Sequence, residues 1–283
     1  MENIKTVTSV SGGMTSAYLA ANYPSDKLVF SLVRSKDKYI KFKDPFLRRE
    51  VEDRLQKPFV ATLEDDIIIK TILDLELYLG RKIDWVSGPT YEDLIFKIKG
   101  GYLPNRKDRF CTTELKIRPI FDWWAETFKM MPVYMNIGYR ASEKNRVDRE
   151  NKKLNGLGLS TFKHSFKKNK KGQNSWGEFA WRFPKFPLFE DLIFKGDIIK
   201  FWADKPVKFA NRNNCVACFH RSPQALKISS LEHPDKFDWF CSAERMTGAT
   251  WKKGVRYDKI KLLSEPMFLN EDSEGCDSGF CGF

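Results

Sequence analysis

The junction between residues 5 and 20 constrains the fold of this 283-residue chain more than any other stretch. An apolar run, "KTVTSV", is followed by two glycines in "SGGMTS" and then by "AYLA". The apolar run predicts a strand, and the segment after the glycines has the composition of a helix. A strand that enters a helix through glycines is typical of α/β folds whose first loop binds a phosphate.

The rest of the first 150 residues continues this alternation. Further strands are predicted at 27–33, 58–63, 83–88 and 132–140. Helical segments lie between them: one begins with Asp44 as a cap and Pro45 in its first turn, and another ends at Gly80. Alternating strands and helices predict a Rossmann-like parallel sheet that is covered on both faces, so the predicted fold class is α/β.

A change of composition after residue 150 divides the chain into three predicted parts. Residues 1–150 are the predicted nucleotide-binding domain. Residues 151–182 are basic and rich in glycine, serine and asparagine, which predicts an insertion or a flexible loop. Residues 183–283 are predicted to be a smaller helical part that carries cysteines and an acidic tail.

The net charge of +12 is concentrated in one segment. Residues 140–185 hold 13 Lys and Arg against 4 Asp and Glu, a local balance of +9. This segment is either a solvated loop or a contact for a polyanion, with DNA or RNA as the expected partner. Five aromatic residues are interleaved with its cations and suit stacking on unpaired bases: Phe162, Phe166, Trp176, Phe179 and Trp181.

Hydropathy and cysteine usage predict a cytoplasmic protein without a membrane partner. No apolar run approaches the roughly 20 residues of a membrane span, and the first ten residues lack the features of a signal peptide. Structural disulfides are rare in the cytosol. The six cysteines therefore point to a metal, a cluster or redox chemistry, while the oligomeric state stays open.

The "SGGMTS" loop is the predicted phosphate site. Gly12 and Gly13 let the backbone approach a phosphate, and Ser11, Thr15 and Ser16 add hydroxyl groups. An ordinary strand–helix turn is the alternative, but the position after the first strand favours a nucleotide site. The spacing and the absence of a following lysine exclude a Walker loop.

This loop resembles the SGGxDS loop of the PP-loop ATP pyrophosphatases and the related loop of the phosphoadenosine-phosphosulfate (PAPS) reductases. The resemblance implies an adenine nucleotide α-hydrolase type of sheet. It also implies ATP or PAPS as the bound nucleotide, with Mg²⁺ as an optional companion. Thr15 stands where the pyrophosphatases usually carry Asp, a departure that leans toward the reductase branch.

A second stretch, "RFCTTELKIRP", resembles the R-C-C/T-x-x-x-K-x-x-P segment of the PAPS-reductase family. The resemblance implies that Arg109 and Lys116 contact phosphate or sulfate and that Cys111 is functional. Together with Glu143, these three residues are the candidate catalytic groups. A region from Phe186 to Val207 is similar to a further family segment, in which Asp197 and Trp202 are expected to be structural.

A third stretch, "NIGYRASEKNRVDR", resembles the family's G-x-R-x-x-E-S-x-R segment at the end of a strand. The resemblance implies that Gly138 allows close approach of the ligand. Arg140 and Arg146 are then expected to bind anionic groups, and Glu143 to position a ribose, a metal or an arginine.

The pair Cys215 and Cys218 can bind one metal centre from one turn, which suits zinc or an iron–sulfur cluster. Cluster-bearing relatives of the PAPS reductases imply Cys111 as a third ligand, and Cys241 is the candidate fourth. A three-cysteine [4Fe-4S] cluster, as in cluster-dependent tRNA thiolases, is an alternative that leaves one iron open. Zinc with His220 is another alternative. Cys276 and Cys281 are either a mobile redox pair or a coincidence.

Three functions remain open. In the first, ATP adenylates an oxygen of nucleic acid, pyrophosphate leaves, and sulfur displaces AMP. In the second, a thiolate attacks PAPS or its relative and releases sulfite. In the third, the chain binds nucleotide or nucleic acid without catalysis. The first is favoured because the tail lacks the reductases' E-C-G-x-H motif and because a small substrate gives the basic segment no role.

Overall fold

The computed structural model describes residues 4–264. Its strands are β1 Thr6–Val10, β2 Lys27–Ser31, β3 Arg34–Ser35, β4 Ala61–Thr62, β5 Asp84–Val86, β6 Val133–Asn136, β7 Ser160–Lys168 and β8 Asn174–Lys185.

Eleven α-helical segments are assigned within the described residues. They are α1 Met14–Asn22, α2 Pro45–Leu55, α3 Ile67–Leu79, α4 Phe110–Thr112, α5 Arg118–Thr127, α6 Lys144–Asn151, α7 Pro187–Glu190, α8 Lys195–Trp202, α9 Pro223–Glu232, α10 Pro234–Thr247 and α11 Tyr257–Ile260. Two π-helical turns, Asp93–Ile98 and Thr113–Ile117, and one 3₁₀ turn, Ala141–Glu143, complete the helical structure.

Six strands form the central sheet in the order β5-β2-β1-β6-β8-β7. All neighbouring pairs are parallel except β7 with β8. The chain moves outward from β1 to β2 and β5, and then crosses to β6 on the other side of β1. This confirms the predicted α/β class and creates a switch point between the carboxyl ends of β1 and β6, where such sheets bind ligands.

The predicted strand at 58–63 does not join this sheet. Only Ala61–Thr62 is extended, and it pairs with β3 in a separate antiparallel ribbon. The Arg34 guanidinium fixes this ribbon, since it donates to the carbonyls of Pro58 (2.8 Å) and Gly88 (2.9 Å). The apolar run predicted burial correctly, but hydropathy alone does not specify which strand is the partner.

At residues 151–182, where the composition predicted an insertion or a flexible loop, the structure has regular strands. Strands β7 and β8 form a long hairpin in this segment, and β8 pairs in parallel with β6. The reason lies in a period of two: Phe162 and His164 are buried while Lys163 and Lys167 are exposed. Because the segment contains many lysines, its overall composition did not reveal this alternation of buried and exposed residues.

Strand β8 continues through residues 182 and 183, where the sequence predicted a domain boundary. In addition, the C-terminal helices share one hydrophobic core with the N-terminal part. Phe237, Trp239 and Trp251 pack in the same cluster as Leu63 and Tyr91. In residues 4–264 we find no helix that is both long and apolar enough to cross a membrane.

Candidate functional site

The glycine loop joins β1 to α1 at the carboxyl edge of the sheet. Gly12 has φ +76°, which favours glycine, and a Cβ atom there would lie 2.6 Å from Cγ2 of Ile68. Gly13 is the N-cap of α1, with extended backbone and no side-chain cap. The turn is therefore tight against α3 and presents the N-terminus of α1, where backbone N–H groups favour anions.

The hydroxyl groups of the loop hold the loop itself. The Oγ atom of the buried Ser16 accepts from the Ser11 amide at 3.0 Å and donates to the Gly13 carbonyl at 3.1 Å. The Ser11 hydroxyl lies 3.0 Å from Ser16 Oγ and accepts from Asn213 Nδ2 at 3.2 Å. A phosphate at this turn would consequently be bound through backbone N–H groups more than through Ser16.

Gly138 lies against the first turn of α1, at the switch point of the sheet. A Cβ atom on Gly138 would lie 3.3 Å from Cγ2 of Thr15, which is tighter than ordinary contact. Thr15 is buried by this contact. The loop after β6 thus packs directly on the glycine loop, and Thr15 serves this packing instead of facing outward.

Glu143 positions two arginines in the loop after β6. Its carboxylate accepts from the Arg140 amide at 2.9 Å and from Arg140 Nε at 3.2 Å, and it also forms an ion pair with Arg146. The Arg146 guanidinium lies over the Tyr139 ring, 4.3 Å from its centroid. Of the three roles expected for Glu143, the structure contains the contact with arginine.

Arg109 connects this arginine loop to the cysteines. Burial lowers the pKa of Arg109, the charges of Cys111 and Cys218 oppose that shift, and Arg146 adds to it. The Arg109 guanidinium is therefore close enough to the two cysteines and to Arg146 for their charges to act on it. The side chain also lines the cavity that the cysteines share.

Cys111, Cys215 and Cys218 line one cavity of about 40 Å³. Cys111 comes from α4, and the other two come from the turn between α8 and α9. They lie close enough that the charge of Cys218 raises the pKa values of Cys111 and Cys215, and the charge of Cys111 raises that of Cys215. The other residues around this cavity are Val33, Tyr91, Arg109, Thr112, Leu115, Lys116, Asn214, Phe219 and His220.

The segment Asn213–Cys215 joins the cysteine cavity to the glycine loop. Asn213 donates to Ser11, while Asn214 accepts from Lys116 Nζ at 3.3 Å. Asn214 has φ +77°, a conformation that asparagine tolerates better than most residues. Three consecutive residues thus contact both halves of the candidate site.

Lys116 is engaged in a buried ion pair. Its Nζ lies 2.8 Å from Glu64 Oε1, and Glu64 is almost fully buried. Burial alone would lower the pKa of Lys116, but Glu64 and Cys215 outweigh that effect and raise it. The lysine that was expected to contact a phosphate or sulfate is therefore charged and bound to Glu64 at the edge of the cysteine cavity.

Burial raises the pKa of the Cys111 thiol to about 11 and that of Cys215 well above its ordinary value. Both cysteines are consequently protonated at neutral pH unless a metal binds them, because metal binding deprotonates coordinating thiols. Neither of the two has the lowered pKa that a free thiolate nucleophile needs.

Sequence reasoning missed Tyr91 and underrated His220. Tyr91 is buried, and its hydroxyl hydrogen-bonds to Cys111. His220 Nε2 is buried and has no hydrogen-bond partner among the described residues. Burial, together with the positive charges of Arg109 and Arg106, lowers the pKa of His220 to about 4. The position of Tyr91 depends on tertiary packing and has no local signal, whereas the adjacent Cys-x-x-Cys pointed to His220.

The structure does not bring Cys241 to this cavity. Cys241 is buried on α10, where burial raises its pKa to about 12 with contributions from Asp258 and Asp238. The expectation of a fourth cysteine ligand is corrected accordingly: a buried cysteine on a core-facing helix position is a packing residue. Cys276 and Cys281 lie outside the described residues.

Among residues 4–264, no three His, Cys, Asp or Glu side chains are grouped to hold one metal ion. An iron–sulfur cluster makes a different demand, because each cysteine binds a different iron of a larger group. Three thiols on one cavity, with Arg109 and Lys116 nearby to balance negative charge, suit such a cluster in donor chemistry.

No family model and no curated protein matches the chain. A solved structure with detectable likeness is the U34-tRNA thiolase NcsA from Methanococcus maripaludis with its [4Fe-4S] cluster. The sequences are 17% identical, the comparison covers 98% of this chain and 79% of the other, and the TM-score is 0.39. Likeness at this level says nothing about activity.

Proposed function

We propose that the chain is a PP-loop type enzyme that binds ATP, adenylates an acceptor and transfers sulfur to it, with nucleic acid as the acceptor. The observation that carries the proposal is the junction of two sites at the switch point of the sheet. The glycine loop contacts Asn213, and the cysteine cavity begins at the next residue, Asn214. A nucleotide site and a thiol site that adjoin in this way suit activation followed by sulfur transfer.

Each side chain has a defined part in this proposal. The N–H groups at the start of α1 hold the phosphates and stabilise the charge on departing pyrophosphate. Arg140 and Arg146, held by Glu143, face further phosphate oxygens. Arg109 lines the cysteine cavity, where its positive charge offsets that of the Cys111 and Cys218 thiolates.

Cys111, Cys215 and Cys218 would hold a [4Fe-4S] cluster. When bound, such a cluster supplies an iron with an open coordination position that can carry sulfur. Lys116, fixed by Glu64, lines the cavity and offsets the charge of the thiolates. Tyr91 orients Cys111 through its hydroxyl group.

The competing reductase reaction needs a thiolate close to PAPS. In the described part of the chain, the pKa values of Cys111 and Cys215 are raised, which disfavours attack by either as a free thiolate. A non-catalytic module has one observation in its favour: Thr15, at the position where PP-loop pyrophosphatases carry Asp, is buried against Gly138.

Substrate turnover by anaerobically purified protein distinguishes these functions. We expect pyrophosphate and AMP to be released from ATP in the presence of an RNA acceptor and a sulfide source, with sulfur found in the RNA. Sulfite released from PAPS in the presence of a dithiol would identify the reductase instead. Binding of nucleotide with neither product would identify the non-catalytic module.

A further inference from the structure

The β7–β8 hairpin carries an exposed surface whose residues the nucleotide and cysteine sites do not use. Four exposed lysines surround its turn, and no carboxylate within residues 4–264 pairs with any of them: Lys167, Lys168, Lys170 and Lys171. Two exposed aromatic side chains lie beside them, Phe166 at 45% and Trp176 at 52% of full exposure. Exposed cations next to exposed rings suit a polyanion that also has aromatic bases.

Three of the five aromatics that the sequence offered for stacking are excluded by burial. Phe162 and Trp181 are buried, and Phe179 is partly buried against Phe121 and Phe166. Only Phe166 and Trp176 have ring surface for a base. The stacking surface is consequently small and lies at the outer end of the hairpin.

The turn of the hairpin is well defined. Asn169 Oδ1 accepts from the amides of Lys171 at 2.9 Å and Gln173 at 3.0 Å, and the Asn169 amide donates to the Gln173 carbonyl at 2.7 Å. Gly172 provides the positive φ of +75° that closes the turn. The lysines are therefore presented on a fixed turn.

Trp176 contacts α5 through Arg118, the first residue of that helix. Arg118 lies with its guanidinium carbon 5.9 Å from the centre of the Trp176 ring, and Glu114 binds that guanidinium at 2.6 Å and 3.1 Å. His164 Nδ1 accepts from the same arginine at 2.7 Å. A half-exposed ring whose inner side is near an ordered cation is a preorganised platform for one base.

Contacts along α5 show which way the hairpin runs. Trp181 packs on Trp124 near the C-terminal end of α5, and Phe162 packs on Phe121 one turn earlier. Trp176 then lies by Arg118, the first residue of the helix. The outer half of the hairpin is therefore at the N-terminal end of α5.

That end of α5 is also the carboxyl edge of the sheet. Leu115, just before α5, accepts a hydrogen bond at 2.9 Å from the hydroxyl of Ser31, the last residue of β2. Cys111 precedes Arg118 by seven helical residues, or about 10 Å of helix axis at about 1.5 Å each. Trp176 and the cysteine cavity are thus both near the carboxyl edge of the sheet.

We infer that the hairpin binds an unpaired stretch of nucleic acid, with a base stacked on Trp176 and the backbone along the four lysines. This inference names the form of the acceptor for the site proposed above and rests on that proposed function for the chemistry, though not for the binding itself. A single strand exposes the faces of its bases, whereas a duplex hides them in its stack.

Fluorescence anisotropy with a labelled single-stranded RNA of about 12 nucleotides tests this inference. The same RNA annealed to its complement is the comparison, at salt concentrations from about 50 to 200 mM. We expect the single strand to bind more tightly than the duplex. Trp176→Ala should weaken single-strand binding about tenfold or more, and Trp176→Phe should restore part of the loss.

The contribution of the lysines is measured separately, by the salt dependence of binding. The double variant Lys167→Gln/Lys168→Gln should lower the salt slope of single-strand binding by about 1.4, at about 0.7 for each phosphate contact. Trp176→Ala should leave that slope unchanged. Phe46→Ala and Lys41→Gln/Lys43→Gln, which change exposed residues outside the hairpin, are the matched controls and should bind as the unchanged protein does.

Equal affinity for duplex and single strand, or full affinity in Trp176→Ala, would overturn the inference, as would the absence of binding. The two proposals also fail separately. RNA that binds through Trp176 without any pyrophosphate release from ATP would refute the proposed function alone. Turnover of ATP on RNA that persists unchanged in Trp176→Ala and in the lysine variant would refute the inference alone.

Discussion

At the scale of single residues, the glycine loop depends on the space around Gly12 and on the hydrogen bonds of its own hydroxyl groups. Gly12 has a positive φ and no room for a side chain. Ser16 and Thr15, however, were expected to donate to a phosphate and are buried in packing and internal hydrogen bonds. A hydroxyl next to a turn can bond to a ligand or to its own backbone, and sequence does not distinguish the two.

Gly12→Ala should abolish nucleotide binding and destabilise the fold. The alanine Cβ would clash with Ile68, and its φ of +76° is strained for any side chain. Gly196→Ala is the matched control, because a Cβ atom there meets nothing within 4 Å and the residue lies in α8. Calorimetric titration with ATP should show no binding for the first variant and unchanged binding for the second. Normal binding by Gly12→Ala would contradict the assigned role of the loop.

Glu64→Gln should destabilise the protein by about 3–5 kcal/mol, because it leaves the Lys116 charge buried without its partner. Changing both residues, in Glu64→Gln/Lys116→Met, should cost less than the single change. Glu50→Gln removes an exposed pair with Arg54 and should cost under about 1 kcal/mol. Urea denaturation measures all three. Equal losses for Glu64→Gln and Glu50→Gln would mean that the Lys116 pair contributes no more than a surface pair.

Elements were predicted best where local chemistry defines their ends. Asp44 caps α2 by accepting from the amides of Phe46 and Leu47, and α3 ends at Gly80 in the left-handed region, both as predicted. The hairpin was missed because its alternation of buried and exposed residues was hidden by lysines. The partner of β4 was missed because strand pairing depends on contacts distant in sequence.

The hairpin should become less stable as the pH falls from about 7.5 to 5.5. Burial lowers the pKa of His164, Arg118 lowers it further, and Asp122 and Glu114 oppose the shift without reversing it. The unfolded chain therefore takes up a proton near pH 6.5 while the folded chain resists, so stability declines below that pH. Thermal unfolding of His164→Gln should show a weaker dependence over this range. An identical dependence in both proteins would place the titrating group elsewhere.

At the scale of the whole molecule, three features of the sequence meet at one edge of the sheet. The glycine loop, the arginine loop after β6 and the cysteine cavity are joined by Asn213–Cys215 and Arg109. The order of the motifs indicated a shared site. It did not indicate that Lys116 would form an ion pair with Glu64 or that Cys241 would lie outside the cysteine cavity. Those outcomes depend on tertiary packing, which a linear motif does not contain.

The central claim is that Cys111, Cys215 and Cys218 form one centre and that Cys241 stays outside it. Iron and acid-labile sulfide content of anaerobically purified protein tests this claim most directly. The claim predicts about four irons and four sulfides per chain, lost in Cys111→Ser, Cys215→Ser and Cys218→Ser and retained in Cys241→Ser. Protein without iron, or loss of iron in Cys241→Ser to the same extent, would contradict it.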